Sequence, residues 1–130
     1  NGIEEKAIAS QEYQDLTNND MHVINAIGIG TTKNMSSIAK ELSVTVGTLT
    51  ISMNSLVKKG YVIRCRSTQD RRVVHISLSE KGVKAYYHHK HFHERMIQGV
   101  VEVLTEEELQ ALIKALTKLN SWFRSFDKDE

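Results

Sequence analysis

Between Leu56 and Gly82 the chain reads LVKKGYVIRCRSTQDRRVVHISLSEKG, and this stretch decides the fold. Gly60 is placed to stop the helix before it. The apolar period then drops to two. Tyr61 to Arg66 predicts one short strand. Val73 to Leu78 predicts another, with Val74, Ile76 and Leu78 alternating against Val73, His75 and Ser77. Ser67, Thr68, Gln69, Asp70, Arg71 and Arg72 form the polar hairpin tip between them, with two arginines and one carboxylate. Ser79 can cap a long helix running to about Leu104.

Upstream, Thr45 can cap a helix running to about Lys59, with Leu49, Met53 and Leu56 facing inward at helical spacing. Its outward residues are Val46, Gly47, Thr48, Thr50, Ile51, Asn54 and Lys58. That face is small, hydroxyl-bearing and free of acids, so it can enter a groove and meet phosphates and base edges without repulsion. A shorter helix before it is expected to start at Ser36 as N-cap, with Ile38, Ala39 and Leu42 on one face. Thr17 with Asp20 resembles a capping box. The helix it opens carries Met21, Ile24 and Ile27 and ends at Gly28-Ile29-Gly30. That Gly-x-Gly has no strand before it and no Gly-Lys-Ser after it, so it reads as a helix stop rather than a phosphate loop. Ile3 to Leu16 predicts one more helix. Downstream, Thr105 with Glu108 forms a capping box. The last helix then presents Leu109, Leu112, Ile113, Leu116, Leu119, Phe123 and Phe126 on one stripe, with Trp122 beside it.

Composition bounds the rest. The 130 residues hold 17 Lys and Arg against 16 Asp and Glu, and 40% are apolar. This excludes a disordered chain and leaves room for one core. No proline occurs where average usage gives roughly six, which fits a mostly helical fold. One cysteine, Cys65, excludes an intrachain disulfide framework and suits a reducing compartment. No run approaches the roughly 18 apolar residues of a membrane span, and no signal-peptide pattern opens the sequence. A cytoplasmic protein with no membrane association is therefore expected. The sequence opens on Asn1 rather than Met, which leaves open whether native residues precede it. From Lys33 to Arg95 lie 12 bases and four acids, a net +8, while the flanks carry 5 bases and 12 acids. A basic middle between acidic ends is the footprint of a nucleic-acid reader; a lopsided solvated surface has the same composition.

Helix, short helix, outward-polar helix and basic hairpin together make a winged helix-turn-helix, mainly α (α+β), with long flanking helices. The segment Asp70 to Gly82 resembles the wing signature of the MarR family of bacterial transcription regulators: a D-x-R tip, an alternating strand, then Leu-Ser-x-x-Gly opening the next helix. Leu56 to Arg64 is similar to that family's helix end and first wing strand. Val44 to Thr50, Arg64-x-Arg66-Ser67 and His89-Lys90-x-Phe92-His93 resemble the FabT-like branch, which represses fatty acid biosynthesis genes. The resemblance implies a homodimeric repressor on a pseudo-palindromic double-stranded operator, with residues 17–82 binding DNA and residues 1–16 and 83–130 supplying dimerisation helices. It implies acylated acyl carrier protein as co-repressor and no enzymatic activity.

The implied DNA-binding set is Ser36, Thr45, Gly47, Thr48, Thr50, Asn54, Lys58, Arg64, Arg66, Ser67, Asp70, Arg71 and Arg72. One wing arginine enters the minor groove, whose negative potential favours a guanidinium, and Asp70 orients the other. Gly47 inside a helix costs about 1 kcal/mol against Ala; close approach to DNA or tight packing would each explain it. For the co-repressor, Lys81 and Lys84, with Lys90 and Arg95, offer a basic docking surface to an acidic carrier protein. Met21, Ile24, Ile27, Phe92 and Met96 are candidates to line an acyl slot, or else ordinary core.

His88, His89, His91 and His93 sit at helical spacings from which a zinc site can start, but zinc wants four ligands, usually from more than one element. Solvated or packed histidines are the plainer reading, so no metal and no cofactor are expected. Cys65 has no second cysteine to resolve an oxidised thiol. No nucleophile, phosphate loop or carboxylate pair supports catalysis. Two alternatives to the fatty acid reading stand: a regulator of the same fold sensing zinc or another small ligand, and a helical interaction module that binds no DNA.

Overall fold

A computed structural model describes residues 13–128. They form α1 (Asn18–Ile27), α2 (Met35–Leu42), α3 (Val46–Lys59), β1 (Val62–Arg66), β2 (Val74–Leu78), α4 (Glu80–Val103) and α5 (Glu106–Lys128). The fold is mostly helical with one antiparallel two-stranded sheet, as the sequence predicts. The chain divides after Lys90 into two compact units. The helix expected over Ile3–Leu16 falls mostly outside the described residues. Its last part is a turn, Tyr13–Asp15, closed by the Leu16 N–H donating to the Tyr13 carbonyl at 3.1 Å.

In the first unit, α1 starts as expected. Asp20 N–H donates to the Thr17 hydroxyl at 3.0 Å, and Thr17 N–H donates back to the Asp20 carboxylate at 3.1 Å. Helix α2 corrects the sequence reading, because its N-cap is Asn34, not Ser36. Asn34 Oδ1 accepts from Ser37 N–H at 2.8 Å. The cause lies one residue earlier. Lys33 exchanges both backbone hydrogen bonds with Ile76 of β2, at 2.9 and 2.7 Å. That bridge holds the chain extended up to Asn34, and helix follows immediately. Ser43, left-handed at φ 57°, closes α2, and Thr45 caps α3 by accepting from Thr48 N–H at 3.0 Å.

Gly60, at φ 88°, ends α3. The strands each begin one residue later than the alternation predicts. Tyr61 N–H is spent on the Leu56 carbonyl in the helix stop, and Val73 N–H on the Asp70 carbonyl in the turn. Val62 pairs with Leu78, Arg64 with Ile76 and Arg66 with Val74. The core is Val23, Ile24, Ala26, Ile27, Ile38, Ala39, Leu49, Met53, Leu56, Tyr61, Val62, Ile76 and Ala85. Leu49, Met53 and Leu56 are the inward stripe expected of α3, so the opposite face of that helix is fixed toward solvent. The first turn of α4 closes the unit at Gly82, where an added Cβ would stand 2.1 Å from the Tyr61 carbonyl oxygen. Only glycine fits there.

The second unit, from His91, holds the rest of α4 and then α5. The Thr105–Glu108 capping box is present, with Thr105 N–H donating to Glu108 at 3.0 Å and Glu108 N–H to Thr105 at 3.2 Å. From His91 to Phe126 no residue is buried, and only Leu104 and Leu109 are even partly covered.

Candidate nucleic-acid interface

Helix α3 turns Thr45, Val46, Gly47, Thr48, Ile51, Asn54 and Lys58 to solvent, and no acid occurs in its sequence. Thr45 Oγ1 caps the helix and donates to Thr48 Oγ1 at 2.9 Å, so the Thr48 hydroxyl keeps its own proton to give. Thr50 departs from the expected outward set. It is half-buried, and its hydroxyl donates back to the Val46 carbonyl at 2.8 Å. At Gly47 an added Cβ would meet only Thr45 Oγ1, at an ordinary 3.9 Å. Packing among the described residues therefore gives no reason for glycine, which weighs against the tight-packing explanation of the two open in the sequence.

The helix and the wing are tied together. Arg64 of β1 donates from Nη1 to Asn54 Oδ1 of α3 at 2.6 Å. This contact fixes the Asn54 amide with its carbonyl occupied and its NH2 left to donate. Arg66 Nη1 donates to the Arg71 carbonyl at 2.9 Å. At the tip, Ser67 Oγ accepts from the N–H groups of Gln69 and Asp70 at 3.2 and 3.3 Å. Arg72 binds Asp70 through both ends of its fork, Nε to Oδ1 and Nη2 to Oδ2, each at 3.1 Å, and its backbone N–H adds a third bond at 3.1 Å. The Arg72 guanidinium, then its backbone N–H, hold the Asp70 carboxyl below the usual carboxylate range. Of the two wing arginines, Arg72 is thus the oriented one. Arg71 is exposed and its guanidinium has no hydrogen bond or ion pair among the described residues. Ser36, in the first turn of α2, is also exposed.

Behind this surface lies a polar knot that sequence reasoning missed. Asp20 is buried, and Lys59 meets it at 2.9 Å. Lys59 also donates to the Asp15 carbonyl, and Tyr61 Oη bonds the Asp15 carboxylate at 2.7 Å. Lys81 donates to the Lys59 carbonyl at 3.1 Å and stands 4.3 Å from the centre of the Tyr61 ring. The knot anchors the C-terminal end of α3 and the root of the wing. Its only sequence signal is the Asp20 capping box, because the partners lie some 40 residues away.

The residues expected to take an acyl carrier ligand are scattered in character. Ile24 and Ile27 are wholly inside the core, with no surface left to line a slot, whereas Met21 is half-buried beside them. Lys81 is engaged as above, and Lys84 stands 3.9 Å from Glu80. Phe92 and Met96, in the other unit, are exposed. No group of three or more His, Cys, Asp and Glu among the described residues is placed to hold a metal ion. His91 lies 3.8 Å from Glu94, and the His88 ring is 4.8 Å from that of Tyr13. Cys65 is exposed on β1, opposite His75. No helix among the described residues is long and apolar enough to cross a membrane.

The chain resembles known regulators along most of its length. The family model described as transcriptional regulator SarA/Rot matches residues 6–86. The HTH-type transcriptional regulator YwhA of Bacillus subtilis is 33% identical over 85 residues, which make up 65% of this chain and 61% of that protein. Streptococcus pneumoniae FabT, solved in complex with DNA, is 40% identical, with a TM-score of 0.83 over 95% of this chain and 87% of that one. A mutant of MarR from E. coli, complexed with operator DNA, is 28% identical, with a TM-score of 0.63 over 82% and 76% of the two chains. These relatives are transcription regulators, not enzymes. With a fold that matches FabT and MarR over most of its length, the chain is a MarR-type regulator, and through the model that matches residues 6–86 it belongs to the SarA/Rot family of transcriptional regulators.

Proposed function

We propose that this protein is a dimeric repressor that binds a pseudo-palindromic operator and controls fatty acid biosynthesis genes, with acylated acyl carrier protein as its co-repressor. DNA binding rests above all on one observation: the acid-free outer face of α3 is locked by the Asn54–Arg64 contact to a wing whose tip presents Arg71 and Arg72. Phosphates are met by Lys58 and Ser36, the minor groove by a wing arginine, and base edges by Thr48 and the Asn54 amide. Gly47, which nothing in the chain's own packing requires, allows the backbone to approach.

Dimerisation is supported by the second unit. Leu112, Ile113, Leu116, Leu119, Trp122, Phe123 and Phe126 of α5 are all exposed. Helices with no buried residue have no core of their own, and helical stability comes mainly from packing an apolar face. A second copy of the same stripe covers it by two-fold symmetry. The same operation sets two copies of α3 about 34 Å apart, one turn of DNA.

Regulation of fatty acid genes is supported by the 40% identity to FabT across nearly the whole chain. On this reading Lys81 and Lys84 face the acidic carrier; in the first unit Met21, and in the second Phe92 and Met96, keep apolar surface of the kind an acyl chain needs. Each buried CH2 adds about 0.8 kcal/mol, so longer chains bind better until the site is full. The carrier tightens operator binding by its preference for the DNA-competent dimer. The test is an operator titration with long-chain acylated carrier protein, unacylated carrier protein and zinc. Tightening by the acylated form alone is expected; tightening by zinc alone overturns the co-repressor assignment.

A further inference from the structure

Ile51 is 74% exposed, more than any other large hydrophobic among the described residues of the first unit. It also has a particular address. At about 100° per residue, Ile51 points roughly 170° away from the mean direction of the buried Leu49, Met53 and Leu56, so it is the crest of the outward face of α3. Gly47, Thr48, Asn54, Ser55 and Lys58 surround it on that face. Local physics does not favour it there. A β-branched side chain is a poor choice for an exposed mid-helix position, and among the described residues nothing covers it.

Resting on the DNA-binding reading above, we infer that Ile51 is a specificity residue that seats against the C5-methyl group of a thymine in the major groove. The crest of a helix lying in that groove reaches deepest toward the base edges. The one apolar feature presented there is the thymine methyl, which distinguishes T·A from the other pairs by contact with an apolar side chain. The neighbours of Ile51 supply hydroxyl and amide groups for the polar edges, so an aliphatic group at the centre divides the work by chemistry. The isoleucine exposed in the free chain is then desolvated only on a sequence carrying thymine at the right step.

The test uses the full chain and a duplex recovered by it from a randomised DNA pool. Each thymine of one half-site, together with its symmetry mate, is replaced by deoxyuridine, which keeps the base pairing and the O4 acceptor and lacks only the methyl. Affinities of the wild type and Ile51→Ala are compared by fluorescence anisotropy. Wild type is expected to lose about fourfold per methyl at one thymine position of each half-site, the worth of one buried methyl group. Ile51→Ala is expected to bind the unmodified duplex correspondingly less tightly and to be indifferent to deoxyuridine at that position. Ile51 is exposed and alanine is the better helix former, so the variant keeps its helical circular dichroism. If every deoxyuridine substitution costs the variant what it costs the wild type, the inference is overturned while DNA binding stands. If the wild type recovers no duplex at all, the DNA-binding reading falls and takes this one with it.

Discussion

Arg71 and Arg72 are neighbours in sequence with different physical situations. Arg72 is oriented by a bidentate carboxylate, which limits its freedom before any partner arrives, whereas the Arg71 guanidinium is unengaged among the described residues. Replacing either with Ala is expected to weaken operator binding by about 1–3 kcal/mol, as read by fluorescence anisotropy. Unchanged affinity in both variants means that the wing does not touch DNA. Asp70→Asn should mimic part of the Arg72 loss, since it removes the charge that aims the fork. The sequence identified these residues because a hairpin tip is local. It left open which arginine Asp70 holds, since both lie within its reach. It did not reveal that Arg64 occupies Asn54, because that contact joins the interior of α3 to the middle of β1 across the chain reversal at Gly60.

At the level of elements, the caps carry most of the legible information. Thr17, Thr45 and Thr105 all cap the helices that their spacing predicts, because a side-chain cap is settled within four residues. Ser36 fails for a non-local reason: the bridge from Lys33 to Ile76 decides where the extended chain ends. The Thr105–Glu108 box also gives a pH prediction. The backbone N–H of Thr105, then its side chain, lower the Glu108 carboxyl below its ordinary value. A depressed carboxylate stabilises the fold above its unfolded pKa, and that contribution fades as pH falls through the folded value. Glu108→Gln should therefore melt earlier than wild type at pH 7, with the gap closing as pH falls through and below the ordinary carboxylate range, in thermal unfolding followed by circular dichroism. A gap that persists in acid means that the charge of Glu108 contributes nothing to α5. Thr105→Ala, which removes the cap itself, should cost about 1 kcal/mol of helix stability.

On the scale of the whole molecule, the exposed stripe of α5 was readable from its helical period, and its lack of cover in a single chain is visible only in the structure. Leu116→Glu and Phe123→Glu place a charge in the middle of that stripe, where burial without a partner is costly. Sedimentation is expected to show wild type as a dimer at micromolar concentration and the double variant as a monomer with weakened operator binding. A folded wild-type monomer under those conditions removes the dimer reading. The charge asymmetry was legible as composition, but its use was not. Lys33 and Lys59, counted among the bases of the middle segment, are spent inside the fold on Ala26, Asp15 and Asp20, which leaves a smaller set facing outward. The winged helix as a whole was legible because its pieces are short and locally punctuated. The polar knot of Asp15, Asp20, Lys59, Tyr61 and Lys81 was not, since its members come from the turn before α1, from α1, from the end of α3 and the residues just after it, and from the start of α4, and meet only in the folded chain.

The exposed Arg71-Arg72 pair at the wing tip makes that hairpin a cleavage site for trypsin as well as a contact for DNA, since nicking concentrates at exposed loop tips. Brief digestion of the free chain should cut first after these arginines. A saturating operator duplex should slow that cut while leaving cleavage within α5, after Lys114 or Lys118, at its own rate. The nick itself then becomes a gauge of occupancy: the fraction of intact wing at a fixed time reports how much of the protein is seated on its DNA, with no label on either partner.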